Sequence, residues 1–190
     1  MDKIKKTIFQ VLMKRLAKKN IRSISESIQL STKELIGYSI TTTRRNNQQK
    51  EDIPPFFHNI YDNNMLDTLN CDSELKMHCV FNLHKNQEDF DYYIAVENKI
   101  EDKKDEYAKI KISAGKYIQV ELIKRNNKVV NMIIMYMRGV WMKSNGYKER
   151  NAAPYIMYDE RFHSNYQKFG CKGNDYLGEP IATLYLPVED

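Results

Sequence analysis

The sequence predicts an α+β fold: two β-α-β-β units in tandem, forming a curved antiparallel sheet with two main helices, plus an N-terminal amphipathic helix. Three observations predict it. Ile36, Tyr38, Ile40 and Thr42 alternate with Leu35, Gly37, Ser39 and Thr41, the period-two mark of a half-buried strand rich in β-branched residues. A helical block and two short strand-like runs follow it. The same order then returns between residues 109 and 188. The recurrence is architectural, since the halves share no residue-level identity.

At the N-terminus, Ile4, Ile8, Val11, Leu12 and Leu16 recur at helical spacing among lysines and arginines, which predicts a basic amphipathic helix. Residues 1–28 are assigned to this helix and its linker, and 29–190 to the folded domain. The helix is too short for a helix-turn-helix module, so no direct DNA reading is expected from this chain. Docking on the domain or in a homodimer, on a membrane surface or on nucleic acid stays open.

After a polar stretch comes the strand through Ile36 and Thr42, then a polar loop from Arg44 to Glu51. Asp52 can cap a helix with Pro54 and Pro55 in its first turn, where a missing N–H is harmless. Its apolar face carries Phe57, Ile60, Tyr61 and Met65. Strands over 78–83 and 90–97 flank a polar turn through Lys85, Asn86 and Gln87. Beyond a charged linker at 98–105, the second unit has a strand over 109–122 broken near Gly115, a helix over 129–143, and strands over 155–161 and 181–188. In that helix Val130, Ile133, Ile134, Met137 and Trp141 form a stripe that Met132, Met135 and Tyr136 widen, which predicts burial on more than one side. Two such units leave a cleft at the seam between their sheets, where pockets tend to form.

Composition narrows the function classes. With 190 residues, 42% hydrophobic and 29% charged, the chain can bury a core without disulfides or metal, and no apolar run approaches the ~20 residues of a transmembrane helix. Cys71, Cys79 and Cys171 are isolated, which excludes a disulfide framework and points to a reducing cytoplasm. The apolar run 8–13 is too short for a signal peptide and leads into Lys14 and Arg15. Residues 1–22 hold eight Lys and Arg against Asp2, while the whole chain carries +5, so a basic tail precedes a mildly acidic domain.

No catalytic signature and no glycine loop for a phosphate or cofactor appears, and the four histidines lack metal-ligand spacing; no cofactor and no metal are expected. Thirteen tyrosines, seven phenylalanines and one tryptophan supply flat side chains able to grip organic rings. Periodicity makes Phe57, Tyr93 and Tyr136 candidates for a pocket, and the methionines near the second helix could line one or simply fill the core.

The order of Ala114-Gly115-Lys116-Tyr117, then Trp141 to Tyr147, then Pro154 to Asp159, then Ala182 to Val188 resembles the GyrI-like, or AraC-type effector-binding, domain. Glu34 to Thr43 and Asp91 to Glu97 resemble that family's opening strands, so the resemblance covers about residues 29 to 188. It implies a pocket for small organic molecules, with Trp141, Tyr158 and Tyr185 as lining residues near the seam. Ile156 stands where the family places a glutamate that receives the positive end of a ligand. An isoleucine offers about 1.5–3 kcal/mol of burial and no charge to draw a cation. Because family members that resemble hydrolases use that glutamate to handle water, its replacement argues against catalysis. Glu97 and Glu121 are the possible substitutes, but alternation alone does not say which strand face meets the cleft. The resemblance therefore implies non-catalytic binding or sensing of a small hydrophobic, aromatic compound, linked to transcription regulation or to a drug or toxin response. Two alternatives stay open: a gyrase-inhibitor-like module that acts on a protein partner, and a hydrolase of electrophilic natural products.

Overall fold

The computed structural model describes residues 11–15, 17, 19–69, 76–85, 88–98, 106–123, 127–169 and 182–189. Its strands are β1 (Ile21–Ile24), β2 (Ile28–Leu30), β3 (Lys33–Thr43), β4 (Met77–Leu83), β5 (Asp89–Glu97), β6 (Ala108–Ile112), β7 (Gly115–Leu122), β8 (Tyr155–Tyr158) and β9 (Ala182–Pro187). Its main helices are α1 (Gln49–Asp62), α2 (Asn127–Tyr136) and α3 (Glu160–Phe169). A π turn, Met137–Trp141, and a last turn, Met142–Ser144, extend α2.

All pairings are antiparallel, in the order β1-β7-β9-β8-β4-β5-β3-β6, with β2 beside β1 on the edge of β7. The first unit, β3-α1-β4-β5, lies in the sheet as β4-β5-β3, and the second, β7-α2-β8-β9, as β7-β9-β8. The order is therefore palindromic about the β8–β4 pair, as a duplicated β-α-β-β unit requires. Ser113 and Ala114 alone join β6 to β7, which stand near opposite ends of the strand order. So short a link reaches only about 10 Å, and the sheet must roll until its ends approach. The Tyr117 hydroxyl donates to the Ser113 carbonyl at 2.8 Å and fastens this corner.

Strand alternation splits the core in two. One row crosses the sheet through Tyr38, Ile94, Cys79, Ile156, Leu184, Val120 and Ile24. It belongs to the cluster that α1 and α2 cover with Phe57, Ile60, Val130, Ile133 and Met137. The opposite face carries Leu35, Val80, Ala95, Ile112, Tyr117, Tyr155 and Tyr185, closed by Ile28 and Leu30 of β2 and Ile110 of β6.

Several expectations are corrected. The strand expected over 155–161 stops at Tyr158, because Asp159 caps α3: its Oδ1 accepts from the Arg161 N–H at 3.0 Å, and its carbonyl from the Phe162 N–H. The first long helix begins at Gln49, so Asp52 lies inside it and the prolines fall in its second turn. The Asp52 carboxylate instead accepts from the Thr42 hydroxyl at 2.5 Å and the Gln48 amide at 2.8 Å, which hold it below the usual carboxylate range. The polar stretch before β3 contains β1 and β2, short strands held by their register with β7. On the N-terminal helix, Val11 and Leu12 are exposed and Met13, Ala17 and Asn20 are buried, a face turned from the expected stripe. Met135 of α2 is 54% exposed, so α2 packs on one side only. Ile4, Ile8, Leu16, Asn86, Gln87, the 99–105 part of the linker, Cys71, Cys171 and Ile181 lie outside the described residues.

Gly37 sets a close strand approach in the first unit. A Cβ there would stand 2.2 Å from the Ile94 carbonyl oxygen and 2.6 Å from the Ala95 Cα, both backbone atoms that cannot step aside. Gly37→Ala is expected to lower stability by about 1–3 kcal/mol, read as a lower urea midpoint at unchanged slope.

Candidate functional site

The β4–β8 pairing places Cys79 beside Ile156 on the helix face, at the pseudo-twofold centre. Above this seam α1 and α2 leave a cavity of about 80 Å³. Ile156 and Tyr158 of β8, Phe81 of β4 and Tyr92 of β5 line it from the sheet. Ile53 comes from α1, Val130 and Asn131 from α2, and Arg44, Gln49 and Lys50 from the segment that opens α1. Two of its rings, Phe81 and Tyr92, meet at 5.2 Å between centroids, and Phe56, outside the lining, meets Tyr92 edge-on at 6.3 Å. The Gln49 Oε1 atom is buried with no hydrogen-bond partner. The amide can turn either its oxygen or its nitrogen towards a guest.

The residues expected to line a pocket fall into three places. Ile156 and Tyr158, two apart on β8, both line this cavity. Phe57 does not line it; it is 2% exposed, stacked on Tyr61 at 5.8 Å and edge-on to Tyr158 and Phe162 at 6.3 Å. Trp141 stacks on Tyr147 at 5.7 Å, and it and Tyr136 pack against the same core without lining the cavity. Tyr93 and Tyr185 occupy the opposite face, in the cross-strand row Tyr93, Val80, Tyr155, Tyr185, Gln119. Arg44, Gln49, Lys50, Ile53, Phe81, Tyr92, Val130 and Asn131 are cavity residues that sequence reasoning did not single out. For Phe81 and Tyr92 a signal existed: each shares its strand's parity with a residue of the central row, Cys79 and Ile94.

That opposite, tyrosine face is packed. Tyr155 and Tyr185 stack at 4.4 Å and 6°, Tyr117 meets Tyr155 edge-on at 5.9 Å, and Arg150 lies 5.1 Å above the Tyr117 ring. Burial pushes the Tyr155 and Tyr185 hydroxyls up, so both stay protonated. Glu97 and Glu121 are on this face too. Glu97 pairs with Lys33, while Glu121 accepts from the Ser23 hydroxyl at 2.7 Å and lies 3.7 Å from Arg161. Neither lines the cavity between the helices. His78 is wholly buried here, with neither ring nitrogen hydrogen-bonded and Nε2 3.9 Å from Glu97. Burial is the main cause that lowers its pKa to about 4; Lys33 and Lys76 act in the same direction and Glu97 against it.

Residues 28–188 match the family described as Cass2, integron-associated effector binding protein. The chain belongs to that family. Among curated proteins none matches it. Solved structures share the fold. SAV2435, determined bound to tetraphenylphosphonium, is 18% identical over 86% of this chain and 93% of that chain, with a TM-score of 0.62. The integron cassette protein VCH_CASS2 from Vibrio cholerae is 15% identical over 89% and 97%, with a TM-score of 0.55. The EcmrR C-terminal domain is 14% identical over 88% and 98%, with a TM-score of 0.53. Among the described residues no helix is long and apolar enough to cross a membrane.

His78 gives the domain a pH dependence of definite sign. The unfolded chain protonates a histidine near its ordinary pKa of 6.5, whereas the folded site resists protonation down to about 4. The unfolded state therefore binds more protons in that window, and stability falls as the pH drops through it. Relative to His78→Phe, the wild type is expected to lose about 3 kcal/mol between neutral pH and about pH 4, measured by urea unfolding across the range.

Proposed function

We propose that the cavity between the helices receives a ring of a small hydrophobic, aromatic compound, and that the domain binds or senses this compound without turning it over. The observation that carries this reading is the hollow over the seam, bounded from the sheet by Ile156, Tyr158, Phe81 and Tyr92. Its volume of about 80 Å³ exceeds the ~30 Å³ share of one water and is about half the ~150 Å³ of an engineered cavity that holds benzene, so a ring enters as side chains of the wall move aside. Burying such a ring is worth about 1.5–3 kcal/mol. Membership of an effector-binding family supports the reading, as does a relative of the same fold bound to an aryl compound.

Binding without turnover is supported by the composition of the wall. Among the described residues, the cavity is lined by amides, rings, aliphatic groups and two cations, with no carboxylate or imidazole to serve as general base. An output to transcription, or to a drug or toxin response, passes in this reading through a partner or the basic N-terminal segment.

Calorimetric titration with benzene-ring and naphthalene-ring compounds tests the proposal. Ile156→Phe, which fills the floor, is expected to weaken the one-ring compound about tenfold or more, equivalent to about 1.4 kcal/mol. Ile156→Ala, which enlarges the cavity, should favour the two-ring compound over the one-ring compound. Identical affinities in wild type and both variants would place the guest elsewhere.

A further inference from the structure

We propose that the guest is an aromatic anion, with its ring over Ile156 and Tyr158 and its acid group between Arg44 and Arg138; this deepens the binding reading above and rests on it. The charged groups lining the cavity are Arg44 and Lys50, both cationic and both exposed at its rim. Phe81 also lines an adjoining hollow of about 390 Å³, which holds Asn82, Arg138, Glu149, Arg150 and Asn151. Phe81 is thus a wall of both hollows, and a guest with its ring over Ile156 and Tyr158 can carry an acid group towards the cations on either side of it.

The cations are only partly matched by the protein. Arg44 has no carboxylate partner among the described residues; its guanidinium lies 5.7 Å from the centroid of the Phe90 ring. Arg44 lines the first hollow and Arg138 the second, on either side of Phe81; partial burial, and then the like charge of Arg138, lower the Arg44 pKa. Arg138, in the π turn after α2, gives one Nη2 hydrogen bond to Glu149 and leaves Nε buried without a partner. Three acids in this region are engaged: Glu149 by Arg138, Glu88, whose carbonyl accepts from the Arg44 N–H, by the Arg45 side chain, and Asp52 by Thr42 and Gln48. A carboxylate or sulfonate between the two guanidiniums would relieve their repulsion and accept charge-assisted hydrogen bonds. Ile156 is consistent with this, since a carboxylate on the floor would repel the same guest.

Phenylacetate, 2-phenylethanol and 2-phenylethylammonium share one ring and differ in charge, so their affinities, measured by calorimetry in low salt, test the proposal. Phenylacetate is expected to bind about five- to tenfold more tightly than the alcohol, with the ammonium weakest, and added salt should narrow the gap. Arg44→Gln should weaken phenylacetate about five- to tenfold and change the alcohol by less, so that the preference for the acid is lost. Arg138→Gln should do the same, and Arg44→Gln suffices if the Arg138 variant does not fold. Equal affinities for acid and alcohol, or tightest binding of the ammonium, overturn the anion and leave the ring-binding reading standing. If none of the three binds, the ring-binding reading fails and the anion with it.

Discussion

The structure depends on one antiparallel contact, the pairing of β4 with β8. Four residue pairs, Met77 with Tyr158, His78 with Met157, Cys79 with Ile156 and Val80 with Tyr155, turn two three-stranded half-sheets into one. A shift of register by one residue would exchange the faces, sending Ile156 and Cys79 away from the helices and His78 towards them. Of the central pair, Cys79 and Ile156, Ile156 lines the hollow together with residues of α1 and α2.

The two faces of the sheet use aromatic residues in different ways. On the tyrosine face the rings stack on each other and on Arg150, and the rolled sheet ends close over them. On the helix face Phe57, Tyr61 and Phe162 form a packed cluster with Tyr158, while Phe81 and Tyr92 stand at the edge of open space. The carboxylates are placed differently from the cations at the cavity mouth. The carboxylates Glu97 and Glu121 belong to the tyrosine face, and the groups around the cavity mouth are Arg44 and Lys50, with Arg138 beyond Phe81. A chain whose excess charge lies in its first 22 residues thus also concentrates cations at one small place in a mildly acidic domain.

Much of the fold was legible because burial writes itself into period two and period 3.6. Residues 35–42, the two following strands and both long helices show those periods over enough length to be unambiguous. Short elements were not legible: β1 and β2 span four and three residues, and pairing with β7 holds them rather than any pattern of their own. Helix α3 was hidden because Tyr155 to Tyr158 reads as a strand that runs on, although Asp159 followed by Glu160 carried a capping signal. The cavity was half legible. Parity joined Tyr158 to Ile156, but parity does not say which face meets a helix, so Tyr93 and Tyr185 fell on the far side. Arg44, Gln49 and Lys50 read as a solvated loop, since polarity marks exposure and not what an exposed group faces.

The most direct test is methyl NMR of the isoleucine- and valine-labelled protein during titration with a one-ring aromatic compound. Ring-current shifts concentrated on Ile156, Ile53 and Val130, with Val80 and Ile112 unmoved, are the predicted result. Shifts concentrated on Val80 and Ile112 would contradict it, because the guest would then lie on the tyrosine face and the gap between α1 and α2 would be a packing defect without a function.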